Sequence, residues 1–203
     1  MSELLLNIPK SAANLQLPDP ELLTFYKDLE NRVFWLEEDI SEYTLELGRY
    51  ILRWNKEDKD IPVEERKPIK IVMFSCGGDL DVSNTLIDII SLSKTPIVGI
   101  NAGRAMSGAA FIFLSCHIKK VLKNGYFLFH QGSGAFQGTY GEIISQITNY
   151  QEQIANLTEF MLSKTHYTED EVAENLCSEW YVSATEAKDK FDCEIIDSID
   201  ELL

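Results

Sequence analysis

Positive charge is what this 203-residue chain has least of: 18 lysines and arginines stand against 33 aspartates and glutamates, a formal net charge of -15 at pH 7. Nucleic acid and anionic membrane surfaces both need a basic face, so neither is expected as a partner. Long apolar runs are missing too. Nowhere do 18 apolar residues follow one another, and the opening MSELLLNIPKSAANLQLPDP has neither the basic start nor the apolar stretch of a secretory signal. A cytoplasmic location is expected. Cysteine is scarce: Cys76, Cys116, Cys177 and Cys193 form no C-x-x-C pair and no metal-ligand spacing. They read as free thiols in a reducing compartment, with no disulfide framework, no metal and no cofactor implied.

What remains is ordinary globular composition, 45% hydrophobic and 25% charged, enough for one α/β domain with a real core. Residues 1–20 carry Pro9, Pro18 and Pro20 and read as an N-terminal arm, leaving a single domain over 21–203. NRVFWLEED reads as a short strand. From Asp39 a helix is expected, because Glu42 completes a capping box and Ile40, Tyr43, Leu47, Tyr50, Ile51 and Trp54 recur at helical spacing. Residues 55–68, NKEDKDIPVEERKP, read as a charged surface connection. Then IKIVMF, LDVSNTLIDIISLS, PIVGIN, SGAAFIFLSC, KKVL and YFLF alternate strand and helix patterns, which argues for β-α units on a mostly parallel sheet. Thr139 and Glu142 open a long helix to about Lys164, whose apolar stripe is too long for one small core and suits contact with another subunit. TEDEVAENL and SATEAKDKF open with the same capping pattern, and EIIDSI reads as the last strand.

One serine stands out. In NAGRAMSGAAFIFLS, Ser107 sits among glycines and alanines where a strand gives way to a helix. It either caps that helix or uses the free N–H groups and dipole there as a nucleophile, with the N–H of Gly108 facing an oxyanion. Two further features favour the nucleophile. YFLFHQGSG holds His130 at the mouth of a strand, and SCGGDL places Gly77 and Gly78 after another, where bare backbone can present a second N–H. Together they compose an acyl-transfer site in which His130 takes the serine proton and returns it to the leaving amine. GSGAFQG is not a dinucleotide fingerprint, since its third glycine comes one place late. The order serine, histidine, acid and the missing G-x-S-x-G exclude an α/β-hydrolase. Cys116 beside His117 is no catalytic pair, because neighbours on a helix point about 100° apart.

Gly77 and Gly78, GRAMSGAAF around Ser107, and FLFHQGSGAFQG after His130 resemble the proteolytic subunit of the Clp protease from about Arg32 onward. Order and spacing both hold: 29 positions (107 − 78) separate Gly78 from Ser107, and 23 (130 − 107) separate Ser107 from His130. EWYVSATEAKDKFDCEIIDSI resembles the segment that carries the family's third triad member. There the resemblance puts Glu179 where the family has aspartate, with Asp170 and Asp192 as the other carboxylates within reach of the motif. Gly108 also stands where the family often has a bulkier residue.

The resemblance implies a Clp/crotonase-type α/β fold of stacked β-β-α units with a protruding helix over about 139–164. It implies a serine endopeptidase acting on unfolded polypeptides, with catalytic Ser107, His130 and Glu179 and oxyanion donors at Gly78 and Gly108. The peptide substrate would lie extended along a glycine-rich strand at Gly132, Ser133 and Gly134. It further implies a homo-oligomer of two stacked seven-membered rings and a Clp-type ATPase partner. A catalytically silent ring subunit and a crotonase-like acyl-CoA enzyme are the alternatives.

Overall fold

The computed structural model describes residues 19–199. The chain divides into two compact units, Met1–Asn31 and Arg32–Leu203. The arm expected over residues 1–20 lies outside the described residues except for Asp19 and Pro20. Those two start the first unit's helix, α1 (Pro20–Glu30): the Asp19 side chain accepts from the N–H of Glu21, and proline occupies the first turn, where its missing N–H costs nothing.

The second unit is a seven-stranded sheet with helices packed on it. Strands β1 (Val33–Leu36), β2 (Ile69–Ser75), β3 (Ile97–Met106), β4 (Ile118–Leu122) and β7 (Glu194–Ile196) run side by side in the order β1-β2-β3-β4-β7, all parallel. Strand β5 (Tyr126–Phe129) also pairs with β3, and β6 (Trp180–Ser183) pairs antiparallel with β5. Successive residues of β2 serve opposite faces. Ile69, Ile71 and Met73 are wholly buried, and Val72 belongs to a second apolar cluster with Val98, Ile100 and Ile196.

Helices α2 (Leu45–Glu57), α3 (Leu80–Leu92) and α4 (Gly108–Ser115) lie in a row, α3 against both neighbours. All eight residues of α4 are buried. Phe111, Ile112, Phe113 and Leu114 each stabilise the fold by about 1.5–3 kcal/mol through that burial. The long helix expected from Thr139 is α5 (Tyr140–Lys164), with Thr139 at its cap and the Thr139–Glu142 capping box in place. Thr168 and Ser183 cap α6 (Glu169–Asn175) and α7 (Ala184–Lys190) as their patterns predict.

Two expectations are corrected. The helix read from Asp39 starts only at Leu45, after a short 3-10 turn over Glu42–Thr44 in which the N–H of Ser41 donates to Thr44 Oγ1 at 3.0 Å. Ile40 is drawn away from helical geometry because its N–H donates to Gly77 O at 2.8 Å and its carbonyl accepts from Asp79 N at 2.9 Å. Residues 55–68 are not merely a surface insertion. They include buried Asp58, which receives both guanidinium nitrogens of Arg32, one of them at 2.7 Å, and the Thr95 hydroxyl at 2.9 Å. Those bonds, that from Arg32 above all, hold its carboxyl below the usual range against the opposing effect of burial.

Candidate active site

Strand β3 changes partner halfway. Val98–Asn101 pair with β4, whereas Arg104–Met106 pair with β5. Buried Asn101 manages the exchange: its Nδ2 donates to Tyr126 O at 2.8 Å, and its Oδ1 accepts from the N–H of Gly103 at 2.9 Å. The second ladder ends with Met106 opposite Leu128, and the N–H of Ser107 adds one more bond to Leu128 O at 2.8 Å. Ser107 and His130 therefore emerge beside each other, one residue and two residues past the same rung. His130 Nε2 lies 2.8 Å from Ser107 Oγ.

Ser107 occupies the N-cap position of α4, yet its hydroxyl makes no capping bond. Its backbone, at φ 51 and ψ −127, is a conformation that L residues seldom adopt and that costs about 1–3 kcal/mol. The ladder to β5 on one side and the buried helix on the other hold it there, with the hydroxyl turned to the imidazole.

The glycine pair forms the facing wall. Ser75 Oγ donates to Glu38 O at 2.7 Å and accepts from the N–H of Gly77 at 3.1 Å, pinning the turn. At Gly77, φ is 91, and a Cβ would lie 2.5 Å from Met106 O and 2.8 Å from Ser107 Cβ, so only glycine admits this approach to the serine. Neighbouring Gly78 keeps its N–H unpaired among the described residues. So does Gly108, first in its helix, which has no carbonyl four residues back to serve it. Small residues around Ser107 let backbone come close to whatever the hydroxyl attacks, and the structure adds a packing reason for glycine at 108: a Cβ there would clash with Oγ of the buried Ser83.

A cleft of about 380 Å³ is lined by Gly78, Ser107, Gly108, His130, Gly132 and Ser133 together with Leu80, Phe111, Tyr150 and Leu157. The glycine-rich strand expected at Gly132, Ser133 and Gly134 is instead irregular backbone from Gln131 to Gly138, and Gly134 does not line the cleft. Glycines at 132, 134 and 138 leave this stretch without the side chains that favour extended pairing. Helix α5 holds it in place. Tyr150 donates from its hydroxyl to Gln131 O at 3.2 Å and packs edge-on against Phe136 at 5.7 Å, and Gln146 donates to Gln137 O at 3.3 Å.

Glu179 is exposed, and its Oε2 accepts the Tyr181 hydroxyl at 3.0 Å. Among the described residues no carboxylate is hydrogen-bonded to His130. Asp192 is engaged with the ring of His166 at 2.9 Å, and Asp170 lies on the exposed first turn of α6. The β5–β6 ladder nevertheless ends at Phe129 opposite Trp180, and the next pair in that register is His130 with Glu179. The structure thus brings Ser107, His130, Gly78, Gly108, Gly132 and Ser133 to one cleft, which Glu179 does not line. Sequence reasoning passed over Tyr150, which only the α5 stripe hinted at, and Cys76, the exposed neighbour of the glycine pair that also lines the cleft.

Elsewhere, burial pushes the Cys116 thiol up to about 12, and His117 Nδ1 accepts the N–H of Ile97 at 3.1 Å, so that pair is structural. Among the described residues no cluster suits a metal ion, and no helix is long and apolar enough to cross a membrane.

An acyl-transfer reaction needs a hydroxyl on an imidazole with unpaired amides nearby, and this cleft holds all three. Comparison with known proteins points the same way. Residues 60–199 match the family model for the Clp protease. Among curated relatives, the ATP-dependent Clp protease proteolytic subunit 2 of Treponema pallidum is 27% identical over 169 residues, 82% of each chain. The ATP-dependent Clp protease proteolytic subunit 3 of Rhizobium etli is 27% identical over 123 residues, 60% of this chain and 63% of its own. A ClpP1 point mutant from Listeria monocytogenes, a solved structure, superposes with a TM-score of 0.73 at 20% identity, covering 89% of this chain and 99% of the other. Its fold is therefore shared.

Proposed function

Because this chain belongs to the Clp protease family, we propose that it is a serine endopeptidase that cleaves unfolded polypeptides through an acyl-enzyme. The observation that carries this reading is the 2.8 Å contact between Ser107 Oγ and His130 Nε2. With its proton on Nδ1, the imidazole accepts the hydroxyl proton as Oγ bonds to the scissile carbonyl carbon. The carbonyl oxygen becomes an oxyanion facing the unpaired N–H groups of Gly78 and Gly108. Collapse breaks the C–N bond, and the imidazolium gives its proton to the departing amine. Water then repeats the sequence on the ester and frees Ser107. Glu179 supplies the orienting carboxylate once its side chain turns from Tyr181 to Nδ1.

The substrate backbone lies along Gly132 and Ser133, where bare main chain is available for pairing. The subunit assembles into two stacked seven-membered rings, with α5 and residues 132–138 at the contact between them, in the cytoplasm. A Clp-type ATPase feeds the chamber. Relatives named as subunits of an ATP-dependent protease support the pairing with an ATPase.

The test is treatment with a serine-directed phosphonate, mapping of the adduct by mass spectrometry, and peptide turnover by wild type, Ser107→Ala and His130→Ala. The expected result is label on Ser107 and loss of turnover in both variants. Label elsewhere, or a Ser107→Ala variant that cleaves as fast, overturns the proposal. A second reading, a catalytically silent ring subunit, is favoured by the absence of a carboxylate on His130 among the described residues. It predicts ring assembly with no labelling. Thioester turnover without peptide cleavage would point instead to crotonase-like chemistry.

A further inference from the structure

The carboxylate opposite the imidazole is in use. Glu179 and Tyr181 are two residues apart, so they share one face of the β6 edge, and the phenol O–H reaches Glu179 Oε2 at 3.0 Å. Across the sheet, the partner of Tyr181 is Leu128, a buried side chain that offers the hydroxyl nothing. The nearest ring is that of Tyr126, 6.1 Å away. Among the described residues, Glu179 is thus the one acceptor the phenol has, and it holds the Tyr181 phenol above its ordinary pKa. The β5–β6 register, carried one pair beyond its last rung at Phe129 and Trp180, sets Glu179 opposite His130; directly opposed residues have Cβ atoms about 4.5–5.5 Å apart, within the reach of a glutamate side chain.

We propose that Tyr181 is a positioning residue that holds Glu179 away from His130 in the resting enzyme and so restrains catalysis. This rests on the reading of Glu179 as the orienting acid. One carboxylate faces two donors, the phenol O–H and the imidazole Nδ1–H. In the resting site the imidazole is neutral, and the phenol holds the carboxylate. When His130 takes the serine proton it becomes a cation, and its Nδ1–H then forms a charge-assisted bond that a neutral phenol cannot match. The carboxylate moves across as charge develops. Its bond to Tyr181 belongs to the resting state and not to the transition state, so that bond adds to the barrier. Removing the hydroxyl leaves Glu179 free to face His130 before reaction. The expected gain in kcat is roughly two- to tenfold, the worth of one net hydrogen bond, with KM unchanged because Tyr181 does not line the cleft.

The experiment compares the full-length chain with Tyr181→Phe, Glu179→Gln and the double variant, measuring kcat and KM on a fluorogenic peptide. In parallel, tyrosines labelled with carbon-13 at Cζ are titrated by NMR in wild type and Glu179→Gln. Expected are a faster Tyr181→Phe with the same KM, a slower Glu179→Gln, a double variant no faster than Glu179→Gln, and a Tyr181 midpoint that falls when Glu179 is neutralised. If Glu179→Gln is slow but Tyr181→Phe is no faster than wild type, Tyr181 restrains nothing while the role of Glu179 stands. If Glu179→Gln retains full rate, the role of Glu179 falls and the proposal with it. A Tyr181 midpoint that ignores Glu179 overturns the proposal whatever the rates, as does a chain in which wild type and Tyr181→Phe are equally silent.

Discussion

Replacing Gly77 with alanine puts one methyl group against the backbone around Ser107. The added Cβ falls 2.5 Å from Met106 O, 2.8 Å from Ser107 Cβ and 3.0 Å from Gly108 N, about 1 Å short of ordinary contact for the closest. All three atoms belong to the junction of β3 and α4. The junction must yield, because Gly77 is itself pinned by Ser75 Oγ on its N–H and by Ile40 on its carbonyl. A shift near 1 Å takes the 2.8 Å bond between Ser107 and His130 past useful length, and misplacement of that size costs about 100-fold in rate. An L side chain at φ 91 adds about 1–3 kcal/mol of strain. Gly77→Ala should therefore lose about two decades in kcat and in phosphonate labelling of Ser107, with a modest drop in urea stability. Gly141→Ala is the control. Nothing lies within 4 Å of its added Cβ, and in α5 it should gain up to about 1 kcal/mol. If Gly77→Ala labels as fast as wild type, the wall does not set the geometry of the serine and the reasoning fails.

Other outcomes follow from groups away from that junction. Asp58→Ala leaves the Arg32 guanidinium without its buried partner and should cost about 3–5 kcal/mol in urea denaturation. Because the folded Asp58 titrates below its unfolded range, its contribution is complete above about pH 4 and fades as pH falls through the lower folded value, so Asp58→Asn should show a flatter stability profile there. A variant profile as steep as wild type would refute that assignment. Maleimide at neutral pH should modify exposed Cys76 and Cys177 and spare buried Cys116 and Cys193, whose thiols burial pushes up to about 12. A bound peptide should protect Cys76 alone, by mass spectrometry, and labelling of Cys116 in native protein would contradict the packing. Tyr150→Phe removes the donor to Gln131 O, and it should lower kcat several-fold while unfolding free energy changes by about 1 kcal/mol or less. An unchanged kcat would mean that the loop after His130 needs no tether.

Local chemistry explains most of what could be read in advance. Thr139 and Thr168 announce their helices because the cap and the glutamate three residues later satisfy each other within one turn, and Ser183 because its hydroxyl accepts the N–H of Glu186. The apolar runs announce strands, since a parallel sheet covered by helices needs little alternation. What escaped depends on partners far along the chain. Ile40 fits a helix by spacing, and only the backbone of Gly77 and Asp79 removes it. The strand read as PIVGIN continues through Gly103 and Arg104 to Met106, because Asn101 carries the ladder from β4 to β5. Ser107 and His130 could be found from motif order, whereas the engagement of Glu179 could not. It depends on a tyrosine two residues away on the same face, and a motif match weighs position without rotamer.

Helix α4 has no solvent side at all, and Ser107 stands immediately before its first turn. Random mutagenesis that selects for inactive variants should therefore return replacements throughout Gly108–Ser115 alongside those at Ser107 itself. The two groups would differ in abundance: Ser107 variants accumulate as intact protein, and the others are lost to degradation. In this chain the residue proposed as nucleophile and the first residue of the buried helix that keeps the protein folded are joined by a single peptide bond.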